Sequence, residues 1–175
     1  MYCYCFYWNL ILQVIKILNS VLFIDNDCLV NIFDDIYHAD KNILDEVITY
    51  LSLQFDQIWV PRTVEHEFYL KHDDKKRKKI FASVLNTYRF VRRCPVKVSK
   101  AEIRQIVGNT EENAGETDAL IQINKTKLSE RFRINRVTFF SQDRGALNNA
   151  QTAGVQTLDY RTLSNVMRET GIVLP

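Results

Sequence analysis

The chain predicts an α/β fold built on a parallel sheet, and three observations carry that expectation. Short runs of aliphatic and β-branched residues, VLFID, QIWVP, VTFFS and VQTLD, recur along the chain. Between them lie longer segments with apolar residues at helical spacing. VLFID above all is continuously apolar rather than alternating, the pattern of a strand covered on both faces by helices. At 175 residues the chain suits one domain with a core of its own.

The elements follow in order. VLFID (21–25) reads as the first strand. Asp27 is a plausible N-cap for the helix CLVNIFDDIYH, whose apolar face is Leu29, Ile32, Phe33 and Ile36. NILDEVITYLSLQF (42–55) repeats that spacing with Ile43, Leu44, Val47, Leu51 and Phe55. QIWVP (57–61) is a second strand stopped by Pro61. Thr63 then opens a helix, TVEHEFYLK, that is expected to continue toward YRFVRR. CPVKVS (94–99) is expected as the third strand, and KAEIRQIVG as a helix closed by Gly108. Asn113 and Glu116 stand at capping-box spacing ahead of the helix 113–128. VTFFS (137–141), a helix RGALNNAQTAG stopped by Gly154, VQTLD (155–159) and a last helix YRTLSNVMRETG complete the alternation.

Residues 1–20 differ in character: one charge, Lys16, and a cluster of Tyr, Cys, Phe and Trp. They lack the basic start and small-residue cleavage site of a signal peptide. A membrane anchor is disfavoured because Asn9, Gln13, Lys16 and Asn19 interrupt the apolar run. Two readings stand for this N-terminal extension: an added apolar helix packed on the domain of 21–175, or a leader ahead of a natural start near IKILNSVLFID. Cys3, Cys5, Cys28 and Cys94 form no CxxC pair and no zinc-finger spacing, which points to a reducing, cytoplasmic setting without a disulfide framework.

The acids carry the chemistry. A carboxylate inside an apolar strand is costly to bury, yet Asp25 ends the first strand and Asp143 follows VTFFS. In an open parallel sheet ligands bind at the carboxyl ends of the strands, where the strand order reverses. Glu67 lies on the helix after the second strand, with its neighbour Glu65 as the alternative acid there, and Asp118 lies near the start of another. Two unit charges about 5 Å apart repel by roughly 3 kcal/mol at an effective dielectric near 20. A cluster of four therefore calls for protonation or a hard cation, and oxygen ligands suit Mg²⁺ or Mn²⁺. Asp27 is a less favoured ligand because it can serve as a cap. Glu116 sits two residues from Asp118, so the two can hardly share a helix face; Asp118 is the preferred ligand and Glu116 the second choice. Asn26 and Ser141 are candidates to hydrogen-bond the acids. His38, His66 and His72 show no metal spacing.

The order VLFIDND, VPRTVEHEF, GETDAL and FFSQDRGALNNAQTAGV resembles the PIN-domain ribonucleases over residues 21–160. The match falls on Asp25-Asn26; on Pro61, Val64 and Glu67-Phe68; on Asp118-Ala119 with Gly115-Glu116 ahead; and on Ser141-Gln142-Asp143, with Ser where the family has Thr. The resemblance implies a three-layer α/β/α sandwich with the first and fourth strands adjacent. It further implies hydrolysis of RNA phosphodiester bonds with Mg²⁺ or Mn²⁺, and Asp25, Glu67, Asp118 and Asp143 as the catalytic and metal-binding set. A toxin of a toxin–antitoxin pair, with an antitoxin protein and a homodimer as partners and no membrane, follows from the family alone.

Charge is uneven along the chain. From Lys71 to Arg104 stand twelve Lys and Arg against three acids, a net +9, which leaves −7 for the rest of a chain whose total is +2. Lys75, Lys76, Arg77, Lys78, Lys79, Arg89, Arg92 and Arg93 are the RNA-binding candidates. Tyr69, Phe81, Tyr88 and Phe90 are interleaved aromatics for which core packing is the stronger reading. Two other functions compete. FIDNDCLV also resembles the DxD opening of haloacid-dehalogenase-type phosphatases, but no Thr follows the second Asp. A non-catalytic RNA-binding module on the same fold would use the basic segment and need no metal.

Overall fold

The computed structural model describes residues 16–70, 75–107, 114–128 and 132–175. β1 (Lys16–Ile24) leads into α1 (Asn26–Val30), which runs on through a π-helical stretch (Asn31–Ile36) and a final turn (Tyr37–Ala39). Then come α2 (Lys41–Gln54), β2 (Gln57–Val60), α3 (Arg62–Leu70), α4 (Lys75–Thr87) and β3 (Val91–Arg93). α5 (Lys100–Val107), α6 (Ala114–Lys127), β4 (Phe132–Ser141), α7 (Arg144–Thr152), β5 (Gln156–Asp159) and α8 (Tyr160–Glu169) complete the chain.

Among the described residues the five strands form one all-parallel sheet in the order β3-β2-β1-β4-β5. β1 and β4 are neighbours, paired from Lys16↔Phe132 to Ile24↔Phe140. The strand order reverses between them, so their carboxyl ends bound the crevice where such sheets bind ligands.

Side-chain alternation sends the strand residues into two apolar layers. Leu22, Ile24, Ile58, Val60 and Phe140 meet α1, α2, α3, α4 and α8 on one face. Val21, Phe23, Trp59, Val137 and Phe139 meet α6 and α7 on the other. That is the α/β/α sandwich, with Phe23 and Trp59 in edge-to-face contact at 5.4 Å in the second layer. No helix among the described residues is long and apolar enough to cross a membrane.

Several elements differ from the sequence reading. The first helix starts at Asn26 with Asp25 as its cap, so Asp27 is not the N-cap but lies in the first turn. β1 reaches back to Lys16, which puts residues 16–20 in the sheet. The third strand is Val91–Arg93, not CPVKVS. Val91 is buried against Ile58, and Pro95, lacking an N–H, cannot carry the ladder further. The expected long helix from Thr63 divides into α3 and α4. The caps expected at Gly108 and Asn113, residues 1–15, and the side chains of Lys76 and Arg77 lie outside the described residues.

Candidate functional site

Asp25 is the joint between strand and helix. Its N–H donates to the Phe140 carbonyl at 2.9 Å as β1 ends beside β4, and its carbonyl accepts from Leu29 N–H at 2.8 Å as the helix begins. The backbone there is extended, and Oδ1 accepts from Asn26 N–H at 2.8 Å, so the carboxylate points off the sheet edge as a cap. Oδ2 accepts from Ser141 Oγ at 2.9 Å. The fully buried Ser141 hydroxyl also accepts from Asp143 N–H at 3.0 Å, so one oxygen ties the two strand-end acids together.

Burial pushes the Asp25 carboxyl up to about 6, and the charges of Asp27 and then Glu67 act in the same direction against the Asn26 and Ser141 hydrogen bonds. Asp25, Asp27 and Glu67 therefore share one field. Asp27 is itself held: Oδ1 accepts from Cys28 N–H at 2.6 Å and Oδ2 from Gln142 N–H at 3.0 Å. Asn31 Nδ2 donates to Gln142 Oε1 at 2.5 Å, a second tie from the first helix to the β4–α7 loop.

α3 separates the two glutamates that sequence alone left in competition. Val64 and Phe68 are buried, which sets the helix phase. Glu65 is buried as well: it accepts from Arg93 Nε and Nη2 at 2.7 and 2.8 Å and from the Tyr69 hydroxyl at 2.8 Å. Burial pulls its carboxyl upward, but the hydrogen bonds from Arg93 and Tyr69 outweigh it and hold the group below its ordinary value. Glu65 is thus committed to the edge strand, and Glu67 is the α3 acid whose charge reaches Asp25.

Asp118, only 2% exposed, faces α3. Oδ2 accepts from Thr63 N–H at 3.0 Å and Oδ1 from Gln122 Nε2 at 2.8 Å. Thr63 lies in the first turn of α3, where N–H groups lack partners within the helix and the helix dipole favours negative charge. Asp118 thus closes the start of the helix that carries Glu67. Glu116 turns the other way and accepts from Asn149 Nδ2 on α7 at 2.8 Å. Asp143 caps α7, with Oδ1 accepting from Gly145 N–H at 2.6 Å and Ala146 N–H at 3.2 Å. A Cβ at Gly145 would stand 3.1 Å from that oxygen, so glycine leaves the cap its room.

The four acidic residues are connected only indirectly, through backbone groups and electrostatic field. Asp143 reaches Asp25 through Ser141, Glu67 acts on Asp25 through its charge, and Asp118 reaches Glu67 through α3. Among the described residues no three of His, Cys, Asp and Glu close on one point at metal-holding distance.

Of the basic residues, Lys75, Lys79, Arg89 and Arg92 are exposed, and Lys78 Nζ sits 5.6 Å over the Tyr69 ring. Arg93 is bound to Glu65. Phe81 is core, while Tyr69, Tyr88 and Phe90 pack against it. Gln122 and Arg93 were not singled out as partners of acids. The i,i+4 spacing of Asp118 and Gln122 was readable; nothing in the sequence joins Glu65 to an arginine 28 residues away. Searches with the sequence found no matching protein-family model and no matching curated protein.

Proposed function

We propose that this protein is a metal-dependent ribonuclease that hydrolyses RNA phosphodiester bonds in the cytoplasm. One observation carries the reading: Asp25 stands at the reversal of strand order, half-buried, tied through Ser141 to the backbone of Asp143 just past β4, and charged only against burial and the fields of Asp27 and Glu67. A binding site that accumulates negative charge at that crevice suits a cation better than an anion.

In donor chemistry, though not in closure around one point among the described residues, the set suits Mg²⁺ or Mn²⁺. It is all oxygen, from carboxylate, amide and hydroxyl groups. Next to Asp25, the buried Asn26 Oδ1 has no hydrogen-bond partner, an acceptor that a hydrated cation would satisfy. Asp25, Glu67, Asp118 and Asp143 are the residues that would hold the ion. When bound, it lowers the pKa of a water and polarises a phosphoryl oxygen. The chain's own contribution is positioning. Ser141 orients Asp25 and fixes the Asp143 backbone, Asp118 and Gln122 hold the start of α3, and Asp27 fastens the β4–α7 loop.

The basic segment supports an RNA substrate, since phosphate must approach an acidic crevice. A role as the toxin of a toxin–antitoxin pair, with an antitoxin protein or second copy as partner, rests on the family resemblance. The runner-up is a non-catalytic RNA-binding module, favoured by the absence of a closed three-acid cluster among the described residues. Labelled RNA incubated with the protein and Mn²⁺ or Mg²⁺ separates the two. Cleavage is expected, abolished by EDTA and by Asp25→Asn with folding retained. Cleavage that survives Asp25→Asn sinks the site; RNA binding without any cleavage selects the module.

A further inference from the structure

Among the described residues β3 is the last strand on its side of the sheet. Its ladder to β2 uses Phe90 C=O, which accepts from Ile58 N–H, and Cys94 N–H, which donates to Val60 C=O. By the alternation of a parallel ladder, Val91 and Arg93 turn their backbone groups to the open side. Val91 N–H is taken by the Tyr88 carbonyl at 2.9 Å. The edge therefore offers Val91 C=O and both backbone groups of Arg93. Along it runs a shallow groove of about 290 Å³ lined by Leu85, Arg89, Val91, Arg92 and Arg93.

An exposed edge strand is a template for another extended chain. The chemistry of the groove says which chain. Arg89 and Arg92 are exposed, and Arg92 spends only Nε, on the Arg89 carbonyl at 2.8 Å. Two guanidinium groups thus face a ligand, while Arg93 already has Glu65. The half-buried Leu85 gives an aliphatic floor beside them, while the Val91 side chain itself is turned into the core. A second copy of this edge is disfavoured by charge, because it would set Arg89 and Arg92 against the same two arginines. A nucleic-acid strand finds no aromatic face among the lining residues on which to stack a base. An extended acidic peptide meets all three features: backbone groups for β3, an apolar side chain for the floor, and carboxylates for Arg89 and Arg92. We propose that the β3 edge binds an acidic segment of a partner protein by strand addition. The inference takes Arg89 and Arg92 out of the RNA-binding set, leaving the lysines of α4 to RNA, and is independent of RNA cleavage.

The test uses the full chain in EDTA and a fluorescein-labelled peptide alternating Glu and Val, followed by anisotropy. Binding is expected, weakening with added salt and falling by about tenfold or more in Arg89→Ala/Arg92→Ala. The same peptide N-methylated at alternate residues keeps its charge but loses its donors, and it is expected not to bind. Circular dichroism melting checks that the double variant folds, and Arg89→Gln/Arg92→Gln serves in its place if it does not. Equal binding of the N-methylated peptide, or of a Lys–Val peptide, overturns strand addition. So does a single-stranded RNA oligonucleotide that displaces the peptide with the same arginine dependence, and so does no binding at all.

Discussion

The Asp25 carboxyl, raised from its usual 3.8 to about 6, ties the site to stability. An acid whose folded pKa exceeds its unfolded one keeps its proton longer when folded. Its ionisation therefore costs stability as pH rises from about 4 to about 6, and the full cost is present above that. Two pKa units correspond to about 3 kcal/mol. Asp25→Asn keeps an acceptor for Asn26 N–H and removes the charge, so it should raise Tm at pH 7.5 by about 6–12 °C. The gain should vanish near pH 4. A lower Tm at pH 7.5 would mean that the acid is structural. Ser141→Ala acts oppositely on the same group. It deletes the hydroxyl that donates to Asp25 and accepts from Asp143 N–H. The variant should cost about 1–2 kcal/mol and move the Asp25 titration still higher, read by carboxyl NMR. Ser141→Thr, which keeps the hydroxyl, should restore both.

At the scale of elements, the pairing of α3 with β3 rests on Glu65 and Arg93. The Arg93 side chain is 61% exposed and that of Glu65 11%, so the pair is half in water and its worth is discounted accordingly. Arg93→Ala leaves a buried carboxylate with Tyr69 as its remaining hydrogen-bond partner among these two, and should lower stability by about 2 kcal/mol at pH 7 in urea melts. Because Glu65 titrates below its ordinary 4.5, the pair stabilises above that value. The difference between wild type and variant should shrink as pH falls below it. An undiminished difference at pH 3 would place the loss in packing rather than charge. The same strand explains where sequence reading failed. CPVKVS has the valine alternation of a strand, whereas VRR reads as a charged helix end. Val91 becomes a strand residue only because Ile58 lies beside it, a tertiary partner no local pattern displays. Asp25 displaced Asp27 as cap for a related reason: both acids suit the position, and the β1–β4 ladder decides where the strand stops.

Over the whole molecule, the parallel sheet was legible because its central strands β1, β2 and β4 are apolar on both faces, and VLFID stood out as the most continuous of them. Asp25 was legible because a carboxylate closes that run. The indirect linkage of the acids was not, since it passes through Thr63 to Asp118 across 55 residues and through Ser141 to Asp25 across 116. The same architecture divides the sheet mechanically. Val21 to Ile24 are fully buried, with β2 and β4 on either side. β3 and β5 are edges of three and four residues. Amide exchange should reflect this gradient. Val21–Ile24 and Val137–Phe140 are expected to exchange only through global opening, with a free energy equal to that from urea unfolding. Arg92 and Cys94 are expected to exchange through local opening at a free energy lower by about 2 kcal/mol or more. A buried destabilising change such as Leu22→Ala, costing about 3 kcal/mol, should then lower protection in β1 and β4 by its full amount and leave β3 unchanged. Equal protection in β1 and β3, or equal loss in both, would mean that the edge opens only with the core. In that case the strand that offers a free edge would be as rigid as the strand that carries Asp25.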